Sequence, residues 1–221
     1  TGLTMREPLY FSVNGFGFVG NTSTNELWKY EPGCNKWIRK QDMPGINFQS
    51  PSFIINDIAY VMSGNTLWAY NSASDSWLKK KDIPGEDKRA GFGFSINGKG
   101  YLGGGFYNDA NFYEYNPITD VWTKKNNLPP FTGYNRVYLV SFVIGQKVYL
   151  TGTNSGFWEY SSEGDAWIEK APVESSYACA FAINNTGYVF SSSGILSEYS
   201  PQLNQWKIIN SYPGQKMCYP I

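Results

Sequence analysis

A tyrosine followed seven residues later by a tryptophan occurs five times in this chain: Tyr30 and Trp37, Tyr70 and Trp77, Tyr115 and Trp122, Tyr160 and Trp167, Tyr199 and Trp206. Successive members of this tryptophan series stand 40, 45, 45 and 39 residues apart. A period of that length marks a chain built from copies of one supersecondary unit, none able to bury its apolar surface alone. A proline follows each of these tryptophans, seven residues on at Pro44, Pro84, Pro129 and Pro213, and five on at Pro172. A turn signal precedes each tyrosine: Asn14-Gly15, Asn56-Asp57, Asn97-Gly98, Gly145-Gln146 and Asn184-Asn185.

The third unit shows what one copy folds into. Gly91 to Ile96 is an apolar first strand. Asn97-Gly98 suits the positive φ values of a tight hairpin turn. Lys99 to Gly104 is the second strand, Phe106 to Asn111 a polar loop, Phe112 to Tyr115 the third strand and Val121 to Lys125 the fourth. Pro129-Pro130 then releases the chain to the next copy. Aromatic residues make up 18 % of the chain, which favours strands, and 23 Gly with 12 Pro supply the breaks between them. A four-stranded antiparallel unit leaves both faces wet, and radial stacking of such units covers them. The recurring Tyr and Trp are therefore expected between neighbouring units, each burying about 150–250 Å².

At these residues the sequence resembles the kelch repeat, with a Gly pair ending the second strand, a Tyr in the third and a Trp in the fourth. The likeness runs from about Phe11 to Pro213, and FSINGKGYLGGG and FYEYNPITDVWTKK are similar to segments of bacterial kelch proteins. It implies an all-β, kelch-type β-propeller of four-stranded antiparallel blades, one domain over residues 1–221. The repeats fall at about 9–44, 51–84, 91–129, 139–172 and 177–213. Only the third keeps the full Gly pair; Ser63-Gly64, Thr151-Gly152 and Ser191 to Gly194 stand there in others. Arg89 and Arg136 sit where many kelch repeats carry an Arg after the Pro. Thr1 to Pro8 aligns with the tail of a fourth strand and Met217 to Ile221 with a first strand. Kelch rings usually have six or seven blades, so the expectation leans to a six-bladed ring of which five complete repeats are visible. The same likeness leans to an extracytoplasmic home, a bacterial periplasm or cell surface.

The chain has no His. That removes Ser-His-Asp and Cys-His nucleophiles and the usual zinc and copper imidazole sites. The copper chemistry of the galactose oxidase family, which shares the fold, is excluded with them. P-loop and dinucleotide fingerprints are absent, since Gly15 to Gly17 and Gly103 to Gly105 precede no helix. Cys34, Cys179 and Cys218 are odd in number and lack CxxC spacing, so neither a disulfide framework nor a zinc cluster is expected. Lys and Arg number 18 against 18 Asp and Glu, too balanced for a nucleic-acid partner. No apolar run is long enough to span a membrane as a helix, and the N-terminus carries no signal-peptide pattern. No metal, cofactor or catalytic residue is expected.

Binding groups on rigid scaffolds collect on the longer loops. Here these are Asn21 to Glu26, Phe106 to Asn111 and Pro130 to Tyr138. The candidate binding residues are Arg89, Tyr107, Asp109, Phe131, Tyr134, Asn135 and Arg136, a mixture suited to a protein partner or a glycan. Among carboxylates, Glu86, Asp87, Asp109 and Glu174 lie in loops without a spacing that pairs two of them. The expected function is a non-catalytic binding or scaffold domain acting through the long-loop face, either alone or within a larger assembly. The alternative is a carbohydrate-active enzyme, such as an epimerase similar to the kelch-fold sialate epimerases.

Overall fold

The computed structural model describes residues 8–47, 49–85, 87–106, 109–130, 139–152, 156–173 and 177–213. Every regular element among them is a strand, and the strands form five four-stranded antiparallel sheets in simple up-and-down order. The first sheet is β1 (Leu9–Val13), β2 (Phe16–Asn21), β3 (Glu26–Glu31) and β4 (Lys36–Lys40). The second is β5 (Ser52–Ile55), β6 (Ile58–Ser63), β7 (Thr66–Asn71) and β8 (Ser76–Lys79). The third is β9 (Gly91–Ile96), β10 (Lys99–Gly104), β11 (Phe112–Asn116) and β12 (Val121–Lys124). The fourth is β13 (Val140–Ile144), β14 (Lys147–Thr151), β15 (Phe157–Ser161) and β16 (Ala166–Glu169). The fifth is β17 (Tyr177–Ile183), β18 (Thr186–Ser191), β19 (Ile195–Ser200) and β20 (Gln205–Ser211). These are the five blades of a β-propeller, one per repeat. The turns read from the sequence hold: Asn97 and Gly98 have φ of 51° and 69°, as a two-residue turn with both centres left-handed requires.

The chain divides into two compact units. One comprises the described residues through Leu102 together with Tyr113–Thr123; the other comprises Gly103–Phe112 and the described residues from Lys124 onward. The first unit thus holds the first two blades and most of the third. The second holds the fourth and fifth blades and the loop between β10 and β11.

Two aromatic pairs recur in each blade. Across the first hairpin a Phe stacks on the ring opposite: Phe11 on Phe18, Phe53 on Tyr60, Phe94 on Tyr101, Phe142 on Tyr149 and Phe181 on Tyr188, with centroids 5.0 to 5.3 Å apart. Across the last hairpin, Tyr and Trp of the seven-residue motif are directly opposed and tilted, at 4.8 to 5.1 Å. In the first unit Tyr70 lies on Phe18, and Tyr115 on Tyr60, of the preceding blade. In the second unit Tyr199 lies on Tyr149 and Phe157. The expected packing of these rings between blades is observed for Tyr70, Tyr115, Tyr160 and Tyr199, all fully buried. Tyr30 and Trp37 of the first blade differ: Trp37 is 54 % exposed.

Polar groups follow the same grammar. Five residues after each motif Tyr stands Asn35, Asp75, Asp120, Asp165 or Asn204, in the left-handed region with φ of 46° to 55°. Asn and Asp tolerate that region, which explains their use there. Each accepts a hydrogen bond from the motif Tyr hydroxyl, at 2.7 to 3.0 Å. Four also accept a backbone N–H from the end of the preceding blade: Gln41 to Asp75 at 2.9 Å, Lys81 to Asp120 at 3.0 Å, Asn126 to Asp165 at 3.0 Å and Ala171 to Asn204 at 3.0 Å. The motif Trp then donates to the carbonyl of that same residue: Trp77 to Gln41, Trp122 to Lys81 and Trp206 to Ala171, at 2.9 to 3.3 Å. Gln41, Lys81 and Ala171 are thus each gripped at both N–H and C=O by the following blade.

Candidate functional site

The loops between β6 and β7 and between β8 and β9 are tied together in the first unit. Ile83 donates its N–H to the Asn65 carbonyl at 2.9 Å, and the Asn65 amide donates to the Gly85 carbonyl at 2.6 Å. Ser63 at the end of β6 donates to the Gly45 carbonyl at 2.9 Å. Two non-glycine residues, Gln49 on the connection between β4 and β5 and Ala90 on that between β8 and β9, have φ of 55° and 58° and are joined by a bond from Ala90 N–H to the Gln49 carbonyl at 2.8 Å. Such backbone costs on the order of 1 kcal/mol or more per residue and persists where the surroundings hold it.

On this braced connection lie Asp87, Lys88 and Arg89. Lys88 is fully buried, with its Nζ 5.5 Å from the centre of the Tyr113 ring. Lys is almost never fully buried without compensation, so its burial distinguishes this loop from an ordinary solvated one. Asp87 and Arg89 are half-buried: Arg89 donates from Nε to Asp87 Oδ2 at 2.6 Å and from its backbone N–H to Oδ1 at 2.9 Å. Sequence reasoning named Arg89 and missed Lys88, because a lysine in a loop carries no mark of burial.

In the second unit Asp109 is buried, and its Oδ1 accepts from the Asn111 N–H at 2.8 Å and the Asn111 amide at 2.7 Å. The carboxylate holds the turn into β11, while Leu128 closes the loop by donating to the Ala110 carbonyl at 2.9 Å. Tyr107, Phe131, Tyr134, Asn135 and Arg136 lie outside the described residues, as do Glu86, Glu174 and Cys218.

A carboxylate that the sequence did not single out is the most buried acid described. Glu159 accepts from Lys147 at 2.7 Å and Tyr149 at 2.8 Å, with Lys170 3.3 Å away. Burial opposes its ionisation, but Lys147, Tyr149 and Lys170 outweigh burial and hold the carboxyl below its usual range. It is ionised and saturated with donors, the opposite of a proton shuttle. Tyr101 with Lys99 on Glu114, and Tyr188 on Glu198, repeat the pattern in neighbouring blades. The two described cysteines are in no disulfide, and burial pushes both thiols up, aided at Cys34 by the Glu31 carboxylate. Neither is an activated nucleophile. Among the described residues no three His, Cys, Asp or Glu gather as metal ligands, and no helix is long and apolar enough to cross a membrane.

No protein-family model matches the chain. Among curated proteins, it is 27 % identical over 124 residues to Kelch-like protein 23 of Mus musculus, covering 48 % of this chain and 22 % of that protein. The chain therefore spans about a fifth of the length of the curated relative it matches. Among solved structures, YjhT superposes with a TM-score of 0.80 at 16 % identity, over 96 % of this chain and 86 % of that one. The repeat read from the residues, the five antiparallel blades and these two likenesses agree on the fold: the chain is a β-propeller, similar to kelch proteins.

Proposed function

We propose that the chain is a non-catalytic binding domain that recognises a protein or glycan through the loops around Arg89. The observation that carries the reading is the braced connection Asp87–Lys88–Arg89, which combines a fully buried lysine with a half-buried, hydrogen-bonded ion pair. A polar surface held in one conformation binds with little ordering cost, which is what a recognition site needs. Kelch propellers commonly serve as protein-binding scaffolds, which supports the same reading. The Arg136 loop, PPFTGYNRVY, is proposed as a further contact on its aromatic and polar composition alone.

A sugar-isomerase reading requires a carboxylate free to take a proton beside an Arg. Here both oxygens of Asp87 already accept hydrogen bonds from Arg89, which favours recognition over proton transfer.

The test is capture followed by substitution. Immobilised wild-type chain is exposed to a glycan array and to cross-linked extract, and affinities for each captured species are measured by biolayer interferometry. Arg89→Ala and the pair Tyr134→Ala with Arg136→Ala are expected to weaken binding at least about tenfold, the loss typical of an anchor residue. Equal affinity in all three proteins would sink the assignment.

A further inference from the structure

Two of the five first-hairpin turns are Asn-Gly: Asn14-Gly15 between β1 and β2, and Asn97-Gly98 between β9 and β10. In this dipeptide a backbone nitrogen attacks the preceding side-chain amide most readily, because glycine puts no side chain in the way of the five-membered ring. Both turns are exposed. The ladder of the first blade closes at Val13 and Phe16, so the Gly15 amide stands outside it. A side chain built on Gly15 meets nothing within 4 Å.

The second blade presents a carboxylate to the first of these turns. Its own first-hairpin turn is Asn56-Asp57, with φ of 46° and 63°. The second centre of such a turn is ordinarily glycine, as at Gly15 and Gly98; an aspartate there takes a left-handed backbone that glycine adopts at no steric cost. What the aspartate gains is a contact. With its amide nitrogen turned to the carboxylate, Asn14 donates to Asp57 Oδ1 at 2.8 Å and to Oδ2 at 3.0 Å; in the opposite orientation its oxygen would face two acceptors. Both residues lie in the first compact unit.

We propose that Asn14-Gly15 is a site of spontaneous deamidation, that Asp57 restrains it, and that conversion unfastens the two turns. In the reaction the Gly15 nitrogen gives its proton to solvent base and attacks Asn14 Cγ; the Cγ–Nδ2 bond breaks and ammonia leaves. Water then opens the succinimide at either carbonyl, giving aspartate or isoaspartate at position 14. Asp57 opposes ring closure twice. Its two hydrogen bonds hold the departing nitrogen, so the amide has to leave them before Cγ reaches the Gly15 nitrogen. Its negative charge also disfavours the amide anion that attacks. After conversion the same closeness acts in reverse. A carboxylate at position 14 faces the Asp57 carboxylate, and like charges so placed repel. Isoaspartate further adds a methylene to a two-residue turn that sets strand register.

Peptide mapping by mass spectrometry during incubation at pH 8 tests this, with Asn97-Gly98 of the same molecule as the reference. Asp57→Ala is expected to raise the rate of conversion at Asn14, relative to Asn97, at least about fivefold, the factor that one net hydrogen bond is worth. Asp57→Asn keeps a residue suited to left-handed backbone and removes only the charge, and it raises the ratio by a smaller factor. Asn14→Asp, which copies the product, is expected to lower the melting temperature at pH 7 by about 2–4 °C. Asn14→Asp combined with Asp57→Asn puts one acid and one amide back in contact and restores it. A rate ratio that does not change in Asp57→Ala overturns the proposal, as does conversion that rises equally at Asn14 and Asn97. So does an Asn14→Asp protein that melts like wild type, or one that the second substitution fails to restore.

Discussion

The side chain five residues after each motif tyrosine carries more of the structure than its size suggests. At Asp120 it takes a left-handed backbone, a tyrosine hydroxyl and a peptide N–H from the previous blade. Burial opposes ionisation of Asp120, but the Tyr115 hydroxyl, the Lys81 amide and the nearby lysines outweigh it and lower its pKa from 3.8. A carboxyl held low when folded contributes stability at neutral pH that is lost as pH falls below 4 and through the folded value. Asp120→Asn, which copies the residue used at Asn35 and Asn204, is expected to keep the fold at pH 7 and flatten the acid limb of a denaturation-versus-pH curve. Tyrosine gives the mirror image. Burial, with the charge of Glu159, raises Tyr199 to about 12, so its contribution is present below pH 10 and is lost as pH rises toward 12. A second contrast lies in the indoles. Trp122 donates to Lys81 at 2.9 Å, whereas the buried Trp167 Nε1 makes no hydrogen bond. Trp122→Phe is therefore expected to cost about 1 kcal/mol more than Trp167→Phe in urea denaturation, the value of one buried hydrogen bond.

At the scale of strands and hairpins, the repeat dictates where side chains are forbidden. Gly187 lies directly under the Phe142 ring, so Gly187→Ala forces that ring or the strand to move, at a cost of about 1–3 kcal/mol. Gly17→Ala at the corresponding place in β2 meets open space and is expected to be neutral or slightly stabilising, since Gly weakens a strand interior. Thermal melts of the pair measure the contrast. Strand limits in the third repeat were legible in the sequence almost to the residue, because Asn-Gly, Pro and the alternation of apolar residues are local signals. The Phe pairs across the first hairpin were present in the same letters with the same spacing of seven. They went unread because the reason for the spacing is a ring stack across two strands, which is not visible along one. The roles of Asp75, Asp120, Asp165 and Asn204 were hidden for a similar reason. Their partners are 33 to 39 residues away.

For the molecule as a whole, protection should follow depth within each blade. The second strands β6, β10 and β14 are buried along nearly their whole length, while β4 is exposed along most of its own. Amide hydrogen exchange is expected to be slowest in β6, β10 and β14 and fastest in the outer strands β4 and β20. The candidate site was less legible than the fold. Arg89 was identified from its place after a proline, but the burial of Lys88 depends on packing against Tyr113 of β11, far along the chain. Loop composition alone cannot encode that, because the contact is made by a residue outside the loop.

The peptide held at both ends by the following module has a consequence for how such a chain can change. Lengthening or shortening the stretch between tyrosine and tryptophan by one residue would turn the Asx oxygen or the indole nitrogen away from its target and leave a dry amide behind. Adding or removing some forty residues at once preserves every grip. Growth by duplication is therefore open to this protein, and creeping insertion inside a motif is closed.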